Sequence, residues 1–103
     1  MKKIQKDVDQ WIRQFKIKYW EPHEVMIRLM EEVGELAREI NHIYGPKKKK
    51  KSEDKKEIQD EIGDIIFTLT CLANSLDIDL EEAHEKTMDK LYGRDNDRYE
   101  KSE

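Results

Sequence analysis

Apolar residues recur at helical intervals along almost the whole chain. Ile4, Val8, Trp11, Ile12 and Phe15 predict a first helix over about residues 3–17. Tyr19-Trp20-Glu21-Pro22 interrupts it, because proline disfavours helix at the preceding residue and suits the first turn of the next. Leu29, Val33, Leu36, Ile40 and Ile43 mark a second helix from Pro22 to Ile43 or Tyr44, closed by Gly45-Pro46. Ser52 with Glu53 and Asp54 reads as a cap and acidic first turn for a third helix reaching about Leu76. Its stripe is Ile58, Ile62, Ile65, Leu69, Leu72 and Leu76. Ile66, Phe67 and Ala73 lie off that stripe, so this helix is expected to be central. Asp79 with Glu82 resembles a capping box opening a fourth helix, which turns Leu80, Ala83, Thr87 and Leu91 inward and fades at Gly93. A polar tail follows over 94–103. No run of alternating β-branched residues and no Asn-Gly or Asp-Gly hairpin signal occurs. The expected fold is all-α and four-helix bundle-like, one domain over 1–103.

Charged residues make up 43% of the chain and hydrophobic ones 36%, a balance that without periodicity would allow disorder. The regular stripes instead place the charge on helix exteriors. A core this thin favours self-association, and at least a homodimer is expected. The lone Cys71 excludes an internal disulfide and suits a reducing, cytoplasmic setting. No segment approaches the ~20 apolar residues of a membrane span, and the N-terminus lacks the apolar run of a signal peptide. Lys47 to Lys51 form a five-lysine run. With a net charge of −4 and no interleaved aromatic, a solvated or phosphate-steering loop fits this run better than a nucleic-acid site.

Two pairs of acids, Glu32 with Glu35 and Glu61 with Asp64, sit at one spacing beside the two central stripes. A three-residue step is nearly one helical turn, so both members of a pair project from one face. Antiparallel packing would bring four carboxylates together at the margin of the core. Such a cluster repels itself unless a cation neutralises it, and an all-oxygen set suits a hard ion such as Mg²⁺, with Mn²⁺ as a substitute. Any single helical glutamate is ordinarily part of a solvated face. Asp64 is harder to explain so, because it lies in an apolar stretch with no lysine or arginine between Ile58 and Ser75. Gly34 and Gly63, beside the two acid pairs, each cost about 1 kcal/mol of helix propensity against alanine, which suggests a close approach there. Glu81-x-x-His84 occurs once, whereas a di-iron bundle needs that motif on two helices.

Glu31-Glu32-Val33-Gly34-Glu35 and, farther on, Glu61-Ile62-Gly63-Asp64 resemble the MazG-type nucleotide pyrophosphohydrolases, whose signature is Glu-Glu-x-x-Glu, a spacer, then Glu-x-x-Asp. Tyr19-Trp20, Pro22, Lys90, Arg94, Asp95 and Arg98 extend the resemblance over roughly residues 8–99. It implies an all-α, oligomeric, Mg²⁺-dependent enzyme that hydrolyses nucleoside triphosphates to monophosphate and pyrophosphate. Glu32, Glu35, Glu61 and Asp64 would ligate metal. Glu31 would either support the ligands from behind or orient water, and with Glu32 would form the catalytic pair. Lys90, Arg94 and Arg98 recur at four-residue intervals, and in the resemblance basic residues here contact the phosphates. Trp20, at the break before the second helix, is a candidate to stack on the base, whereas Trp11 and Phe15 are expected to pack in the core. His23, Asn41 and His42 are further candidates for the base pocket. The competing reading is a non-catalytic helical interaction module whose acids only solubilise it.

Overall fold

The computed structural model describes residues 1–46 and 54–102, with side chains in the third helix from Glu57 onward. Four helices follow one another: α1 (Lys2–Ile12), α2 (Pro22–Tyr44), α3 (Asp54–Ser75) and α4 (Leu80–Gly93). No strand occurs among the described residues, so the all-α expectation holds. The lysine run 47–51 and the expected Ser52-Glu53 cap lie outside the described residues.

Helix α1 is shorter than its apolar period suggests. It stops at Ile12, and the chain tightens through Gln14 N–H to Trp11 O (3.3 Å) and Phe15 N–H to Ile12 O (3.1 Å). The Lys18 ammonium donates to the Arg13 and Phe15 carbonyls (2.8 and 2.6 Å), satisfying acceptors that the ended helix leaves open. Helix α2 opens at Pro22, where the Glu24 carboxylate accepts the Glu21 N–H at 3.2 Å. It closes at Gly45, where a Cβ would run into the Asn41 side chain and carbonyl. Helix α3 ends in a Schellman-type turn. Asp77 takes a left-handed φ of 55°, and Ile78 N–H reaches back to Ala73 O at 2.8 Å. Asp79 caps α4 by accepting from the N–H groups of Glu81 and Glu82 (2.9 and 3.3 Å).

Helix α3 is central as expected, packed on α2 along most of its length and on α1 along its second half. Thr68, Thr70, Cys71 and Ala73 are buried there. Both threonine hydroxyls donate to carbonyls one turn back (2.8 and 2.6 Å), so they enter the core satisfied. Helices α2 and α3 run antiparallel through a heptad seam. In α2 the sheltered positions are Val25, Leu29, Glu32, Leu36, Glu39 and Ile43, and in α3 they are Ile58, Glu61, Ile65, Thr68 and Leu72. The remaining stripe residues, Val33, Ile40, Ile62, Leu69 and Leu76, stay exposed.

Helix α4 departs from expectation. It packs mainly on α1, it contains no buried residue, and Ala83, Thr87 and Leu91 are exposed. The molecule is accordingly extended, with a radius of gyration of 17.3 Å against about 13 Å for a compact chain of this length. A polar network ties α1 to the α3–α4 turn. Gln5 Nε2 donates to Asn74 Oδ1 and Ile78 O, while Gln5 Oε1 accepts Leu80 N–H, each at 2.9 Å. Asn74 Nδ2 donates to Tyr19 Oη (3.0 Å), and Tyr19 O–H donates to Asp9 (2.6 Å). Burial, and then this bond to Asp9, push the Tyr19 phenol up to about 12, so it remains a donor.

Candidate active site

The α2/α3 seam brings three of the four expected ligands together. Glu32, Glu61 and Asp64 each offer a carboxylate oxygen, all within 4.8 Å of one another. Two of the three sit deeper than their spacing suggests. Glu32 and Glu61 are seam residues rather than members of a marginal face, and Asp64 lies on the exposed side. Arg28, one turn before Glu32, donates to it at 3.0 Å and offsets part of its charge. Glu61 Oε2 is buried with no hydrogen-bond partner. Burial first, then the hydrogen bond and charge of Glu32 and the charges of Asp64 and Glu35, raise the proton affinity of Glu61. An orphaned carboxylate oxygen facing further carboxylates is the environment a hard divalent cation relieves, and these residues fit such an ion.

Glu35 stands at the edge of this cluster, close enough for its charge to act on Glu61, and is paired with Arg38 at 3.0 Å. Glu31 is exposed and outside the triad. Buried Glu39 continues the same heptad face as Glu32, a placement the single-glutamate reading did not reveal. His42 is half-buried, with Nδ1 shielded and lacking a hydrogen-bond partner, while Asn41 near the end of α2 and His23 at its start are both exposed. At Gly34 and Gly63 an added Cβ would meet open space, so no part of the described chain makes the close approach expected there.

A cavity of about 430 Å³ opens beside the triad, with Glu32 and Asp64 in its wall. Trp11, Phe15, Trp20 and Phe67 supply its aromatic lining. Trp11 meets Phe15 and Phe67 edge-on at ring-centroid distances of 4.9 and 5.8 Å. The expectation that Trp11 and Phe15 are core residues is therefore corrected: both are about half exposed, because α1 ends at Ile12 and releases Phe15 from the helical face. Trp20 also borders a wider, more open groove of about 810 Å³ between α1 and the α3–α4 turn, lined in part by Lys2, Lys6 and Arg13. Lys90, Arg94 and Arg98 line neither space. Asp95 holds both arginines, at 3.3 and 3.5 Å.

Residues 21–99 match the MazG nucleotide pyrophosphohydrolase domain, and that span contains the whole carboxylate triad. The chain belongs to the MazG nucleotide pyrophosphohydrolase family. It is 57% identical to the uncharacterized protein YpjD of Bacillus subtilis (strain 168), over all of this chain and 93% of that one. The crystal structure of YpjD from Bacillus subtilis superposes with a TM-score of 0.81 at 60% identity, covering 86% of this chain and 91% of that one. The crystal structure of a Bacillus-conserved MazG protein, a nucleotide pyrophosphohydrolase, gives a TM-score of 0.79 at 49% identity over 93% of each chain. This MazG-family chain is thus a hydrolase acting on acid anhydrides of nucleotides. No helix among its described residues is long and apolar enough to cross a membrane.

Proposed function

We propose that this MazG-family protein hydrolyses nucleoside triphosphates, ribo- or deoxyribo-, to the monophosphate and pyrophosphate, using Mg²⁺ or, as a substitute, Mn²⁺. Its role would be to remove unwanted nucleotides from the cytoplasmic pool. The observation that carries the reading is the triad itself, three carboxylate oxygens within 4.8 Å beside an aromatic cavity. Glu32, Glu61 and Asp64 would hold the ion, with Glu35 completing the set from the flank. When bound, the ion supplies charge neutralisation for the triphosphate and Lewis acidity toward water and phosphoryl oxygen.

Glu31, exposed and next in sequence to Glu32, orients the attacking water as a hydrogen-bond acceptor, and with Glu32 makes up the catalytic pair. The water oxygen bonds to phosphorus, its proton passes to a carboxylate, and the bond to the departing pyrophosphate breaks. Arg28 holds Glu32 in position through their ion pair. Trp20 stacks on the base from the cavity wall. Lys90, Arg94 and Arg98 offset charge on the phosphates. Lys90, Arg94 and Arg98 line neither cavity of the single chain, so in this reading they would meet a triad across a homodimer or homotetramer, with a second copy covering the exposed α2/α3 rows.

The test is pyrophosphate release from a panel of ribo- and deoxyribonucleoside triphosphates with Mg²⁺, with Mn²⁺ and with chelator. Asp64→Asn and Glu61→Gln should each lower kcat/KM at least about 100-fold, near 2.7 kcal/mol of transition-state stabilisation. Unchanged turnover in both variants would reject the site. A folded protein that releases no pyrophosphate from any triphosphate would instead favour the non-catalytic interaction module.

A further inference from the structure

Arg28 stands one turn before Glu32 on α2 and enters the wall of the 430 Å³ cavity together with Glu32 and Asp64. Its Nε donates to Glu32 Oε1 at 3.0 Å, and this is its one hydrogen bond among the described residues. A guanidinium carries five N–H donors in a rigid planar fork, so the four on its two Nη atoms remain unused. The Arg28 side chain is 54% exposed and that of Glu32 only 14%, so the pair joins a sheltered carboxylate to a solvent-facing cation. The other cation of that wall, Lys18, is already held by the Arg13 and Phe15 carbonyls. Lys90, Arg94 and Arg98 line neither this space nor the wider groove. A triphosphate drawn to the triad therefore meets, on the wall that Glu32 and Asp64 share, a single uncommitted cationic edge, that of Arg28. An exposed ion pair one turn apart on a helix is ordinarily worth little. If this pair served only to neutralise Glu32, the point charge of a lysine would do as well. A planar fork matters where a second anion has to be held at the same time.

We infer that Arg28 contacts the substrate directly, donating from its Nη groups to a phosphoryl oxygen while Nε stays on Glu32. The inference rests on the pyrophosphohydrolase reading and deepens it: one planar side chain joins the phosphate chain to a carboxylate of the triad. Guanidinium suits this double duty because its edges present parallel N–H groups to carboxylate and phosphate oxygens alike. A lysine ammonium is compact and lacks that fork, so it can neutralise Glu32 without also gripping a phosphate. The positive charge also offsets repulsion between the phosphates and Glu31 and Glu32, which stand beside it in sequence.

The experiment compares the full chain as wild type, Arg28→Lys and Arg28→Ala. Its probes are the α,β-methylene analogues of the two triphosphates that the wild type turns over fastest, titrated by calorimetry with Mg²⁺ raised until affinity no longer changes. Saturation removes any effect that Arg28 exerts only through the hold of Glu32 on the ion. Arg28→Lys should weaken both analogues at least about tenfold, the scale of a lost hydrogen bond to a charged group. Its affinity for Mn²⁺ without nucleotide, read from the paramagnetic resonance of the free ion, should stay within about fivefold of wild type, because Glu32 keeps a cationic neighbour. KM for pyrophosphate release should rise in step with analogue Kd. Wild-type affinity for the analogues in Arg28→Lys, or a loss in both variants that vanishes at saturating Mg²⁺, would overturn the inference and leave Arg28 a neutralising role alone. Losses differing more than about tenfold between the two analogues would also overturn it, by placing the guanidinium on the base. Arg28→Lys keeps the charge, so it decides the matter even where Arg28→Ala does not fold. A wild type that releases no pyrophosphate from any triphosphate would reject the underlying hydrolase reading instead.

Discussion

Glu61 shows how residue type and placement combine. Its side chain is sheltered on the α3 side of the seam among Ile65, Thr68 and Leu72, with one oxygen lacking any hydrogen bond. A carboxyl whose proton affinity is raised in the folded state binds more protons folded than unfolded across the interval between its two pKa values. Stability of the metal-free protein therefore falls as pH rises through that interval, upward from about the ordinary glutamate value of 4.5. Chelator-treated protein should show a falling Tm over that range. Added Mg²⁺ should raise Tm more at pH 7 than at pH 5, and Glu61→Gln should flatten both trends. A Tm of the chelated protein that climbs through the same range in step with wild-type Glu61 would contradict the assignment. Asp77 offers a separate test. Its left-handed φ of 55° suits glycine better, so Asp77→Gly should add roughly 0.5–1 kcal/mol by urea unfolding, with activity unchanged.

At the scale of the element, spacing conveyed a good deal. The proline that opens α2 and the glycine that closes it were legible, because each depends on local rules of turn and cap, whereas of the two acid pairs three members converge and Glu35 stands at the edge. Spacing did not tell which side of α2 meets α3. The stripe Leu29, Val33, Leu36, Ile40, Ile43 splits in the folded chain, with Leu29, Leu36 and Ile43 sheltered and Val33 and Ile40 left outside. A single helix face cannot reveal that two apolar rows serve different neighbours, nor that Glu32, Glu39 and Glu61 share the inner one. The Gln5–Asn74–Tyr19 network was also hidden, since amide side chains 69 residues apart carry no periodic signal. Asn74→Ala should cost about 1–3 kcal/mol in urea unfolding by stripping partners from Gln5 and Tyr19. Gly34 gives the converse case. With open space where a Cβ would go, Gly34→Ala should raise helix stability by up to about 1 kcal/mol in the isolated chain. A loss in a thermal melt would show that something outside the chain closes on that face.

The whole molecule is longer and flatter than one sealed core requires, at 47 × 42 × 23 Å. Exposed Val33, Ile40, Ile62 and Leu69 on the two central helices form apolar rows of the kind that association covers. Light scattering should give a mass at least twice the 12.4 kDa of the chain, and Ile62→Lys with Leu69→Lys should halve it. The position of α4, away from the seam, is the feature local sequence rules could not supply, because its weak apolar stripe names no neighbour.

Most direct for the central claim is anomalous diffraction from crystals soaked in Mn²⁺. The account predicts a strong peak bounded by carboxylate oxygens of Glu32, Glu61 and Asp64, lost in Asp64→Asn crystals soaked alike. Strong manganese density elsewhere on the protein, with none between α2 and α3, would contradict it.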